Sequence, residues 1–302
     1  MLKQLCAALL LLFWSVPATA ATHVLVTIKP IHSLVAGVME GVGKPELLIG
    51  GALSEHSYAL KPSDARKIEH ATVIFEIGPD LETYLMGPLE ALGRHSKVIA
   101  LEQAPDVKLL LARRGGIWGN DHDEGPNDPH IWLDPQNAIA MTGAIADALQ
   151  RADPAHGGQY RVNAARQVAA LTTLDRELAA KLGPIRNRPY IVFHDAYHYF
   201  ESRYGLKPAG AVTVAPDRPV GPRRIAQLRN AIVAGHVACV FREPQFPPKL
   251  IESLGEGTTV RIGVLDPLGA ALTPGPHLYP ELLRGLARSL TGCLDSAGGK
   301  NR

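Results

Sequence analysis

The chain has 302 residues, 46% hydrophobic and 20% charged, an ordinary globular composition with length enough for two cores of modest size. Its 31 Lys and Arg stand against 29 Asp and Glu, and the signs are interspersed, which excludes an extended basic surface for nucleic acid.

At the N-terminus Lys3 precedes an apolar run from Leu5 to Trp14, followed by Pro17 and the small residues Ala18-Thr19-Ala20. This pattern predicts a signal peptide over 1–20, cleaved after Ala20, because the run falls short of the roughly 20 residues that span a bilayer. No later stretch is long and apolar enough to span, so a soluble exported protein is expected. Of 3 cysteines, Cys6 lies in the removed segment. Cys239 and Cys293 remain as a pair, which in an oxidising compartment suggests a disulfide, two buried thiols being the alternative.

After this segment, short β-rich runs alternate with amphipathic helical stretches. His23–Ile28 reads as a strand, Ile31–Val42 as a helix, Glu46–Ile49 as a strand and Pro62–His70 as a helix opened by its proline. Strands follow at Thr72–Ile77 and Lys97–Ala100, with a helical segment, Leu81–Leu92, between them. Gly41-Val42-Gly43-Lys44 ends a helix instead of joining strand to helix, so it is a turn and not a phosphate loop. From Gln103 to Asp134 the character turns polar, with a long loop over about 103–129 that includes GNDHDEGPNDPH. A helix begins near Pro135. Ala155–Leu182 then carries helical spacing, with Val162, Ala165, Val168, Leu171, Leu174, Leu178 and Leu182 on one face, until Gly183-Pro184 stops it. A helix of that length between two βα regions reads as a rigid connector over 155–183, dividing a first lobe, 21–154, from a second, 184–295, with a tail over 296–302.

The second half repeats the alternation: strands at Pro189–Phe193, Leu206–Val214, Val237–Phe241 and Thr259–Leu265, and helices at Ala196–Tyr204, Pro222–Ala234, Pro247–Leu254 and Leu278–Cys293. Such α/β alternation favours parallel sheets, whose ligands collect at the carboxyl ends of strands. Glu55-His56 follows the second strand, His194-Asp195 ends the first strand of the second half, and Asp266 ends its last. His130 leaves the polar loop just before the apolar Ile131-Trp132-Leu133. Three imidazoles with one or two carboxylates make a tetrahedral set suited to Zn²⁺, whereas Mn²⁺ prefers more oxygen.

The segments GALSEHSYALKPSDARKI, DPHIWLDPQNA, FHDAYHYFESRYGL, CVFREPQFPP and VRIGVLDPLG resemble, in order and over nearly the whole mature chain, the blocks of zinc-specific solute-binding proteins of ABC transporters, the ZnuA family of metal-binding cluster A-I. The resemblance implies an α/β fold of two lobes, each a four-stranded, mainly parallel sheet flanked by helices, joined by one long helix with the metal in the cleft. It implies a periplasmic protein that is no enzyme, that takes Zn²⁺ as its transported ligand, and that partners an inner-membrane permease with its ATPase. A monomer with no nucleic-acid partner is expected. The family's three histidine ligands fall on His56, His130 and His194, with Glu55 or a water as the fourth and Asp266 as the alternative. The family disulfide corresponds to Cys239 and Cys293.

The chain departs from the many members with a long histidine-rich loop: its loop holds only His122, among Asp121, Asp123 and Glu124, and reads as a solvated acidic segment, a weak capture site being the alternative. Asp195 and Asp266 are candidates to hold the second ring nitrogens of the ligands, His198 is a bystander, and His32, His70 and His95 take structural or surface roles. Two competing readings are weaker. A manganese or iron binder of the same superfamily would favour a carboxylate at the position of His194, and an HD-type metal phosphohydrolase would be wholly helical.

Overall fold

The computed structural model describes residues 22–56, 58–115, 118, 125–214, 216, 219–234 and 237–295. The expected signal peptide, the cluster around His122 and the tail from 296 lie outside them.

In the first half, β1 (Val24–Val26), β2 (Glu46–Leu47), β3 (Val73–Glu76) and β4 (Lys97–Ala100) form a sheet in the order β2-β1-β3-β4, every pairing parallel. Its central strands, VLV and VIFE, are buried at every position, as a parallel sheet covered on both faces requires. The crossovers are α1 (Lys29–Val38), α2 (Pro62–His70) and α3 (Met86–Leu92). Helix α2 keeps the expected bounds because Pro62 fits its first turn and the Asp64 carboxylate takes the Lys61 backbone N–H at 2.9 Å and the Tyr58 hydroxyl at 2.8 Å. The expected helix over Leu81–Leu92 divides into a 3-10 turn, Thr83–Leu85, and α3. Pro88 has no N–H to give, which a helix tolerates only in its first turn, so the α-helical register starts just before it. Gly41, with φ 78°, makes the expected turn after α1.

Helices α4 (Pro135–Ala152) and α5 (Gly157–Leu182) follow the polar loop. The second sheet contains β5 (Tyr190–His194), β6 (Gly210–Thr213), β7 (Cys239–Arg242) and β8 (Arg261–Val264), again parallel, in the order β6-β5-β7-β8. Its helices are α6 (His198–Tyr204), α7 (Pro222–Val233), α8 (Lys249–Gly255) and α9 (Leu278–Leu294). Helix α6 starts two residues later than expected and ends at Gly205, whose φ of 65° is the left-handed cap that glycine supplies without strain.

The 26 residues of α5 make a rod of roughly 39 Å. Its buried stripe corrects the expected one. Val162 is 63% exposed and Ala165 is also outside, while Tyr160, Asn163 and Ala164 are buried and the stripe rejoins expectation at Leu171, Leu174, Leu178 and Leu182. The cause is hydrogen bonding. The end of α1 presents carbonyls with no helical partner, and Asn163 Nδ2 donates to Val38 O at 2.9 Å and to Glu40 O at 2.8 Å, while Gln167 Nε2 reaches Leu34 O at 3.2 Å. Gly37 on α1 leaves the space that Gln167 fills.

Helix α9 packs on α1 as well as on α5, and a single apolar core runs from the first sheet through α4 and α5 to α9. A smaller cluster lies between the second sheet and α7 and α8. Polar pins cross between the halves. The buried Lys29 ammonium donates to the carbonyls of Gly269, Ala270 and Leu272 at 3.1, 2.7 and 3.1 Å. Trp132 Nε1 donates to Pro267 O at 2.8 Å, and Tyr279 takes Ser33 Oγ at its N–H and gives its hydroxyl proton to Trp132 O.

Cys239 and Cys293 are bonded, fixing the end of α9 to the start of β7 across 54 positions. A loop of that length restricts the unfolded chain enough that removing the bond, as Cys239→Ser with Cys293→Ser, is expected to lower stability by roughly 4 kcal/mol. Urea titration of the metal-free protein measures the loss, and coincident curves would deny the bond a stabilising role.

Candidate metal centre

Glu55 and His56 lie in the loop after β2, where Gly51 turns the backbone with φ 75° and Ser54 Oγ accepts the His56 N–H at 3.2 Å. Glu55 is 2% exposed and the His56 side chain 6%. His130 stands at the exit of the polar loop. Asp128 Oδ1 accepts both its backbone N–H, at 2.9 Å, and a hydrogen bond from its Nδ1, at 2.8 Å, a local Asp turn that fixes backbone and ring together. The buried 3-10 turn Ile131–Leu133 follows, and the Trp132 ring packs 5.2 Å from the imidazole. His194 is the last residue of β5, one beyond the expected strand end, and its Nδ1 lies 2.8 Å from both oxygens of Glu243. Glu243 follows β7, the neighbour of β5, and also accepts the Tyr197 hydroxyl at 3.0 Å. His194 and Glu243 therefore flank the crevice where strand order reverses, the place open α/β sheets reserve for ligands.

The three rings form a near-equilateral triangle with centroids 5.3, 5.4 and 5.2 Å apart. His130 Nε2 lies 3.3 Å from both His56 Nε2 and His194 Nε2. Glu55 Oε1 is 3.9 Å from His56 Nε2, and one ligand atom from each of these four residues lies within 4.8 Å of all the others.

Burial raises the Asp128 carboxyl, but the hydrogen bonds and charge of His130, with His198 and the His130 N–H, outweigh it and hold the group well below the usual carboxylate range. An ionised Asp128 draws the ring proton of His130 to Nδ1 and leaves the Nε2 lone pair facing the other rings. Burial pushes Glu243 up to about 8, against the opposing hydrogen bonds of Tyr197 and His194 and the charges of His130 and His56. A dication facing His194 favours its ionised form and places that ring's proton on Nδ1 as well. Lone pairs then converge with Glu55 Oε1, a buried oxygen without a hydrogen-bond partner among the described residues. Mutual repulsion of such a set is relieved by a cation. Tetrahedral donors 3.3 Å apart imply a metal–nitrogen distance of roughly 2.0 Å, the length of a Zn–imidazole bond.

The expected partners of the ring nitrogens need correction. Asp266 does not hold a ring: its oxygens accept the N–H groups of Leu268, Gly269 and Ala270 at 3.1, 2.9 and 2.6 Å and Gln245 Nε2 at 2.9 Å, closing the turn after β8. Asp195 is bound by Arg113. The orienting carboxylates are Asp128 and Glu243, which the sequence reading passed over. Glu243 directly follows a strand, the criterion that found His194, and Asp128 stands two residues before His130 in the turn-forming Asp-Pro-His. His198 Nδ1 is 3.5 Å from Asp128 Oδ2 and outside the four-residue cluster. Buried His32 donates its Nε2 proton to Pro45 O, 3.1 Å away, while His70 and His95 are exposed.

Two α/β lobes whose strand ends face a convergent cluster of three imidazoles and a carboxylate define a solute-binding protein of the metal-ion class. The chain belongs to the ZnuA family: the family described as zinc-uptake complex component A, periplasmic, matches residues 24–293. That family comprises the binding components of uptake complexes and not enzymes. The chain is similar to the high-affinity zinc uptake system protein ZnuA of Brucella abortus (strain 2308), 46% identical with 90% of this chain and 91% of the relative covered. It is 34% identical to that of Yersinia pestis, with 97% and 98% covered. Among solved structures, a crystal structure of ZnuA aligns at 25% identity and TM-score 0.78 over 91% of this chain and 100% of the other. The periplasmic zinc binding protein TroA of Treponema pallidum, 22% identical over 91% and 99%, shares the fold at TM-score 0.80.

Asp128→Asn and Glu243→Gln keep side-chain shape while weakening the pull on the ring proton, and each is expected to cost roughly 10- to 100-fold in Zn²⁺ affinity. Competition with a chromophoric chelator measures this, and parental affinity in both would strip the two carboxylates of an orienting role.

Proposed function

We propose that His56, His130 and His194, with Glu55 completing a tetrahedron, capture Zn²⁺ between the lobes and that the protein hands the ion to the permease of an ABC importer driven by its ATPase. Residues 21–154 and 184–295 act as the lobes and 155–183 as the connecting helix, in a monomer released to the periplasm by removal of 1–20. The observation that carries this reading is the pair of 3.3 Å Nε2 separations beside the buried Glu55 Oε1, which has no hydrogen-bond partner among the described residues. Membership of a family of periplasmic zinc-uptake components supports the identity of the ion.

Glu55 is favoured over Asp266 as the fourth ligand because all of the hydrogen bonds that Asp266 accepts would have to break before it could turn to the ion. A site of three nitrogens and one carboxylate also disfavours Mn²⁺, which takes more oxygen. No chemical step is needed: the ion enters, is held by the Nε2 lone pairs and Glu55, and leaves.

Calorimetry on the metal-free protein tests the set. His56→Ala, His130→Ala and His194→Ala are each expected to lower Zn²⁺ affinity by orders of magnitude, Glu55→Gln by less, and Asp266→Asn by little. Parental affinity in all three histidine variants would refute the site. Protons compete with the metal for neutral imidazole, so affinity is expected to fall as pH drops, with release in acid.

A further inference from the structure

The polar loop that delivers His130 is fastened to the residue that follows His194. Its two limbs pair with each other: Asp128 N donates to Leu110 O at 2.8 Å, Ala112 N to Pro126 O at 3.0 Å, and Leu111 bridges Asn127 in antiparallel fashion. The ribbon so formed rests on α6, where the Tyr199 hydroxyl accepts Leu110 N at 2.9 Å and donates to Asp128 O at 2.8 Å. Arg113 extends from the incoming limb. Its guanidinium bonds both oxygens of Asp195, with Nε to Oδ2 at 3.1 Å, and lies 2.7 Å from Glu201 Oε2. The Trp118 ring covers its face at 3.7 Å. Asp195 and Glu201 are almost wholly buried, and Arg113 keeps 15% of its side-chain surface.

Sequence position makes this cluster more than a local ion pair. Asp195 is joined by a peptide bond to His194, and Asp128, paired to Arg113's limb through Leu110, orients His130. Asp128, Asp195 and Glu201 bring three carboxylates to the start of α6, and like charges so placed repel unless a cation stands among them. Arg113 is that cation. Its fork is rigid and double-ended, so it fixes direction as well as charge, which a lysine does not.

We propose that Arg113 is a positioning residue for metal capture, strapping the segment that carries His130 to the strand end that carries His194 so that the two rings hold their separation before an ion arrives. This rests on the metal reading given above. Arg113 touches no ligand atom and acts through Asp195 on one side and the Leu110–Asp128 pairing on the other.

The test uses the full mature protein with Arg113→Met, Arg113→Lys and, because a lone methionine leaves buried carboxylates uncompensated, Arg113→Met with Asp195→Asn and Glu201→Gln. Arg114, exposed and only 3.4 Å from Gly125 O, supplies the control Arg114→Met. Two readouts are taken. Hydrogen exchange of the Leu110, Ala112 and Asp128 amides without metal reports the strap. Zn²⁺ release to excess chelator, with the Co²⁺ absorption spectrum, reports the site. The expected result is loss of amide protection and roughly tenfold faster Zn²⁺ release in the methionine and neutralised variants, partial recovery with lysine, and parental behaviour in the control. Unchanged amide protection overturns the strap whether or not the protein binds zinc, and lost protection with parental release and spectrum overturns the positioning role. Failure of the parent to bind Zn²⁺ in a His130-dependent manner would instead overturn the metal reading.

Discussion

The structure turns on an electrostatic conflict: three imidazole nitrogens and a carboxylate oxygen aimed at one point. Without an ion each of these donors would be more stable facing water or a proton donor, so the arrangement persists only because every group behind it is held. Asp128 holds His130 from the ring's far side and Glu243 holds His194, while strand β5 and the turn before α4 hold their backbones. The apolar core that runs through α4, α5 and α9 ties the platforms beneath them. Rigidity is therefore part of the proposed chemistry, since donors already held close together would lose little freedom when an ion binds.

The same requirement explains the polar groups buried between the halves. Lys29 gives three hydrogen bonds to the turn after β8, and Trp132, adjacent in sequence to the His130 segment, donates to Pro267 in that same turn. A buried ammonium is costly unless its protons are satisfied. Three carbonyls satisfy it, although burial still draws the group below its ordinary range, against the opposing charge of Asp266. These contacts are directional where apolar packing is not, so they set the angle between the lobes as well as their attachment. Relative motion of the lobes has to break them, and small adjustments around the cleft are the cheaper response to a bound ion.

Much of this was legible in the sequence, for reasons that can be named. Strand ends were legible because β-rich runs stop at polar residues, which drew notice to Glu55, His56 and His194, three members of the convergent cluster, and Pro62 marked the start of α2. The stripe of α5 was only half legible: its C-terminal part follows apolar spacing, but Asn163 is buried and Gln167 half-buried against the carbonyls of α1 and of the turn after it, which no periodicity records. Asp195 looked like an orienting group because it adjoins His194, yet β5 ends at His194 and Asp195 lies in the turn beyond it. Its side chain meets Arg113, and the carboxylate that meets His194 comes from the adjacent strand. Cross-strand neighbours are set by sheet order, and sheet order is a property of the fold.

Asp266 shows how the fold narrows the choice of ion. A carboxylate at the end of β8 could have widened the coordination sphere toward the oxygen-rich shell of a harder cation. Its oxygens are instead spent on the turn from Leu268 to Ala270 and on Gln245, and the carbonyls of that turn are spent on Lys29. Each interaction stabilises the next, so releasing Asp266 would leave three backbone N–H groups unpaired and loosen the cradle of a buried ammonium. The proposed four-donor site is thus enforced from behind, by hydrogen bonds made outside the cluster of three imidazoles and Glu55.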